Sequence, residues 1–136
     1  MVLTYPPMRR LAIGILAAVV LAGCGGEDGE PDPGGFDAER AFDDLEAQVA
    51  LGPRPAGSAA NRENAALIAE RLREAGVEDV VVQRPWRNVV GTIPGRNTRR
   101  KVVLGAHYDT KDLAGFVGAN DGASGTAVVR QLARTI

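Results

Sequence analysis

Cysteine, histidine and lysine are all scarce in this chain of 136 residues: it has one cysteine, Cys24, one histidine, His107, and two lysines among 16 basic residues. A single cysteine excludes an intrachain disulfide, so any folded core must hold without cross-links. The one long apolar run, residues 11–21, is a poor bilayer-spanning helix because it is too short. Strong charge of either sign is also missing. The formal net charge is −1, and removing residues 1–23, which hold Arg9 and Arg10, takes it only to −3. A weakly acidic surface with scattered arginines gives no case for nucleic acid binding. No internal repeat is present.

What is present begins with an export signal. Met8-Arg9-Arg10 supplies a positive start, residues 11–21 the apolar run, and Ala22-Gly23-Cys24 small residues and a thiol. These flanks are those of a signal peptide rather than of a spanning helix. "LAGC" resembles the lipobox of bacterial lipoproteins, whose cysteine becomes lipidated and N-terminal after cleavage. An ordinary secretory signal or an anchor with an incidental cysteine fits the same residues. The stretch "GGEDGEPDPGG", residues 25–35, holds nothing apolar and reads as a flexible tether. The expected organisation is a signal peptide over 1–23, lipidation at Cys24, a tether over 24–35 and a folded part over 36–136. Such a protein is exported and anchored to the cell membrane through its lipid, on the periplasmic or extracellular face.

The folded part starts at Phe36. Asp37 caps a helix running to about Ala50, with Phe42, Leu45 and Val49 on one face. Gly52-Pro53 ends it, and "GPRPAGS", residues 52–58, is a rigid loop whose Ser58 caps a second helix. That helix carries Ala65, Ile68, Leu72 and Ala75 at helical spacing and stops at Gly76. Three strand-like runs follow, residues 77–84, 88–93 and 101–106. The third is the most continuously apolar and reads as a strand covered on both faces. A last helix opens at Ser124 or Gly125 and presents Val128, Leu132 and Ile136. The order helix, helix, strands, helix predicts an α/β sandwich.

The third run ends in His107, with Asp109 two positions on and Asp121 fourteen positions after the histidine. Ligand sites of open α/β sheets lie at the carboxyl ends of strands. A period of two places Asp109 on the face of His107, where a carboxylate can hold the imidazole nitrogen that a metal does not use. Asp109 also fits as a loop cap or as a partner of Lys111. Asp121 stands among three glycines in "GANDGASG", residues 118–125, which lets the backbone approach a charged centre. A plain Asx-turn before a helix fits it equally. Imidazole nitrogen and carboxylate oxygen brought together from two loops are a donor set that zinc accepts, and a carboxylate can bridge two ions.

"GAHYDT", residues 105–110, followed by "FVGANDGASGTAVVRQLAR", residues 116–134, resembles the co-catalytic zinc aminopeptidase family, which includes the glutaminyl cyclases. "NVVGTIPG", residues 88–95, and the stretch from Gly52 to Gly76 resemble that family's preceding strand and N-terminal region. The resemblance covers about residues 40–136. It implies His107 as a zinc ligand, Asp121 as the bridging ligand and Asp109 as the member of the catalytic set that steadies the imidazole. It also implies one or two zinc ions, a peptide substrate, and a three-layer αβα sandwich with a mixed, mainly parallel sheet of the zinc exopeptidase type. "AHYDT" and "FVGANDGASG" lean towards the glutaminyl cyclase branch.

The family also needs a glutamate pair, a further Asp and a further His after the bridging aspartate. No second histidine exists in this sequence, and Glu63, Glu70, Glu74 and Glu78 all precede the site. The expectation is therefore the N-terminal part of such a domain, truncated at its C-terminus, binding zinc weakly or not at all and lacking aminopeptidase activity. A non-catalytic lipoprotein that keeps a peptidase-like scaffold is the alternative.

Overall fold

The structure, a computed structural model, describes residues 35–96 and 99–136. The expected signal peptide and Cys24 lie outside the described residues, as does all of the expected tether except Gly35. Helix α1 (Ala38–Val49) starts where Asp37 accepts a hydrogen bond from the Arg40 amide, 2.9 Å away. Helix α2 (Ala59–Glu74) starts where Ser58 accepts from the Asn61 amide. Each cap satisfies an amide that the first helical turn leaves without a partner. Past α2 the chain turns through Gly76 at φ 80° into strand β1 (Glu78–Val82), which pairs antiparallel with β2 (Val89–Thr92). The last helix, α3 (Ser124–Thr135), is preceded by a wide turn over Ala119–Ala123. Among the described residues no helix is long and apolar enough to cross a membrane.

Two corrections follow for the helices. The buried face of α1 is Ala41, Asp44 and Gln48, while Phe42 is exposed. In α3 the buried residues are Thr126, Ala127, Arg130 and Gln131, and Val128 and Ile136 face outward. Both faces turn inward because of Asp44. Its carboxylate accepts from Arg130 at 2.5 Å and from Arg134 at 2.7 Å, an ion cluster closed off between α1 and α3. Burial pulls the Arg130 guanidinium down to about 10, against the pull of Asp44, so it remains a full cation at neutral pH. Among the described residues the apolar part of the core is small: Ala41 of α1, Ala65, Ile68 and Ala69 of α2, with Val77, Ala123 and Ala127.

The third apolar run is the largest departure. Residues 101–106 form no strand, and Val102 and Val103 are 86% and 89% exposed. Among the described residues the sheet has two strands in the order β1-β2, not a layer of mainly parallel strands between helices. The reason is the pairing rule of strands: a strand persists only when its amides and carbonyls meet a neighbour's. The β1–β2 ladder does not extend to this run. Its end is nonetheless fixed, because Ala106 packs where a side chain on Gly125 would lie, 3.3 Å off, and Thr126 donates to the His107 carbonyl at 3.0 Å.

Candidate metal centre

Three side chains singled out in the sequence meet at one place. His107 Nε2 lies 3.1 Å from Asp121 Oδ1, and His107 Nδ1 lies 3.4 Å from Asp109 Oδ1. Nδ1 also lies 3.2 Å from the Asp109 carbonyl. A carbonyl only accepts, so this contact is a hydrogen bond when the ring hydrogen is on Nδ1, the tautomer that turns the Nε2 lone pair towards Asp121. At 3.1 Å the pair is joined by a proton on Nε2 or, with Nε2 unprotonated, by a cation that both atoms ligate. Ligands at ~2.0–2.2 Å from a tetrahedral zinc stand roughly 3.4 Å apart along the edge of the shell, a few tenths more than the separation found. The other Asp121 oxygen faces Lys111 Nζ at 3.6 Å, and Lys111 also lies over the Phe116 ring.

The glycine loop builds this approach. Gly118 at φ 56° and Gly122 at φ 109° take left-handed conformations on either side of Asp121, which residues with a Cβ rarely adopt. A Cβ on Gly122 would stand 2.9 Å from the Asp109 carbonyl and 3.3 Å from the His107 ring. The loop therefore lies directly against the imidazole. The Ser124 hydroxyl donates to the Asn120 carbonyl at 2.7 Å and caps no amide of α3. Thr126 Oγ1 lies within hydrogen-bond distance of the carbonyls of His107 and Gly122, one on each donor segment.

Sequence reading missed the buried polar frame behind these loops. Arg54 and Gln48 are fully buried, as is Asn64. Gln48 donates to the Ala123 carbonyl, and Asn64 donates to Gln48 Oε1 and to the Tyr108 carbonyl. The one signal was "GPRPAGS" itself, where an arginine sits between two prolines. The Tyr108 phenol donates to the Arg87 carbonyl at 2.7 Å. Burial raises its pKa, with Asp109 adding and Arg87 opposing. Among the described residues no set of three or more His, Cys, Asp or Glu side chains is arranged to hold a metal ion. The donors fit part of a zinc shell, namely one imidazole nitrogen and one carboxylate oxygen.

Comparison with known proteins agrees with this scaffold. Residues 88–136 match the family model of Peptidase family M28. The glutaminyl cyclase of Tannerella forsythia is similar at 30% identity and a TM-score of 0.58, over 73% of this chain and 41% of that chain. That of Porphyromonas gingivalis is similar at 27% identity and a TM-score of 0.52, over 74% and 39%. That of Fimbriiglobus ruber is similar at 25% identity and a TM-score of 0.55, over 79% and 42%. No curated protein matches the chain. The scaffold is peptidase-like, and the similar structures are glutaminyl cyclases of the M28 zinc peptidase class. Within that class the chain fits a glutaminyl-cyclase-like member, as the motifs at His107 and Asp121 imply. It spans about two fifths of the length of the solved structures it matches.

Proposed function

We propose that this chain carries part of the zinc site of an enzyme that acts at the amino ends of peptides, by aminopeptidase-type hydrolysis. The observation that supports it is the facing of His107 Nε2 and Asp121 Oδ1 at 3.1 Å, with Asp109 behind the ring. In this reading His107 and Asp121 are metal ligands, and Asp109 fixes the imidazole so that Nε2 is the free donor. His107 and Asp121 would hold zinc as part of a complete site, where it would supply Lewis acidity to polarise a carbonyl and activate water. A second reading, cyclisation of N-terminal glutamine with loss of ammonia, is favoured by the three glutaminyl cyclases of similar structure. The two are separated by product, a free amino acid against ammonia, on peptides that begin with leucine or glutamine. The three-layer sandwich with a mainly parallel sheet belongs to the same proposal.

Two donors make neither a closed nor a catalytic zinc site. Calorimetric titration of the purified chain is therefore expected to show weak zinc binding. His107→Ala and Asp121→Ala should each remove what binding there is, while Asp109→Asn should keep part of it. Equal binding in all three variants would sink the assignment, and tight stoichiometric binding by the unaltered chain would overturn the half-site. Anchoring to the membrane through a lipid on Cys24, after export, completes the proposal. Radiolabelled palmitate should mark the chain in a bacterial host, and Cys24→Ala should abolish the label.

A further inference from the structure

Arg54 lies in the loop between α1 and α2 and is fully buried, yet no acidic side chain pairs with it among the described residues. Its bonds go to the main chain instead. Nη1 donates to the carbonyls of Gln48 and Gly52, both at 2.7 Å, and Nη2 donates to the Val117 carbonyl at 2.9 Å. Its own main chain meets Thr110 twice: the Arg54 amide donates to Thr110 Oγ1 at 2.8 Å, and the Thr110 amide donates to the Arg54 carbonyl at 3.0 Å. One residue thus holds the segment bearing His107 and Asp109 with its backbone, and the loop leading to Asp121 with its guanidinium.

We infer that Arg54 is the positioning residue of the half-site, setting the distance between His107 and Asp121; this rests on the reading of those two side chains as a donor pair. Burying a cation without a carboxylate is costly, and burial lowers the Arg54 pKa. Filling the space would need only an apolar side chain. What an apolar side chain cannot do is bind three carbonyls that converge from the end of α1, the proline loop and the Val117 turn. A lysine, with one compact charged point, cannot span them either, whereas the planar fork of arginine reaches them from two nitrogens. Gly118 follows Val117 directly, and a Cβ on it would collide with the Asp121 carbonyl and the Thr110 methyl, so the backbone there has no slack. A shift of the Val117 carbonyl therefore passes straight into the loop that carries Asp121.

The test uses the purified full chain without metal. His107 is the only histidine, so its ring gives a single Hε1–Cε1 cross-peak in a proton–carbon spectrum. Arg54→Met and Arg54→Lys should both move that peak by more than its linewidth in protein that is still folded by circular dichroism. Asp44→Asn is the control. It weakens a buried ion cluster whose hydrogen bonds reach neither donor segment, so it should lower the denaturation midpoint and leave the His107 peak in place. Should the Arg54 variants fail to fold, Thr110→Val carries the test, because it removes only the hydroxyl that accepts from the Arg54 amide. It should move the peak in the same sense by a smaller amount. An unmoved peak in the folded Arg54 variants or in Thr110→Val overturns the inference, and so does an equal shift in Asp44→Asn. Zinc titration tests the donor reading separately, so the failure of one is told apart from the failure of the other.

Discussion

The two ends of residues 101–110 differ sharply in how they are held. The end bearing His107, Asp109 and Thr110 is tied to the Arg54 loop, to α2 and to α3 by hydrogen bonds from Arg54, Asn64 and Thr126. The other end, with Val102 and Val103, is exposed although it is the most apolar run of the folded part. Apolar character alone therefore did not bury residues, whereas directed polar contacts did fix a loop. Burial needs a surface to pack against, while a hydrogen bond needs a single aimed partner.

The comparison breaks most easily at Asp44. Asp44→Ala leaves Arg130 and Arg134 buried without their carboxylate, and removing one partner of such a cluster costs about 3–5 kcal/mol. Denaturant unfolding should show that loss, while residues 101–104 keep their exposure. Gly122→Ala comes next. It forces a left-handed backbone on a residue with a Cβ, a strain of about 1–3 kcal/mol, and presses on the His107 ring. Thermal unfolding should report the strain, and a displaced His107 ring signal should accompany it. The smallest effect belongs to the exposed end. Val103→Ser should change stability by no more than about 0.5 kcal/mol, as exposed positions do, while raising solubility because uncovered apolar surface associates. A loss of about 2 kcal/mol or more would mean that Val103 is buried in solution, and the contrast between the two ends would vanish.

Much of the local structure was legible. Asp37 and Ser58 cap where their side-chain chemistry predicts, Gly76 turns the chain after α2, and both early strands lie within the predicted runs. These signals act over a few residues, so a sequence displays them directly. The stripe of α2 is inward as read, with Ala65 and Ile68 buried, but the facing of α1 and α3 was not legible. Phe42, Leu45 and Val49 make the better apolar stripe, but the inward side of α1 is the one with Asp44 and Gln48, because their partners Arg130 and Ala123 lie some 75 or more positions away. The donor set was read from motif and spacing, and the structure brings all three side chains within 3.4 Å contacts. Arg54 was read as part of a rigid connection, since nothing in "GPRPAGS" states that a guanidinium turns back on Gln48 and Val117.

By itself the sequence determined the caps, the turns, the scarcity that makes His107 the single imidazole donor, and the glycines that let Asp121 approach it. Those properties reside in individual residues and their near neighbours, so they are present before the chain folds. Only the tertiary structure decided that a buried arginine holds both donor segments and that an apolar run lies open to water. Both outcomes depend on where distant carbonyls and surfaces come to rest, and no residue carries that information alone.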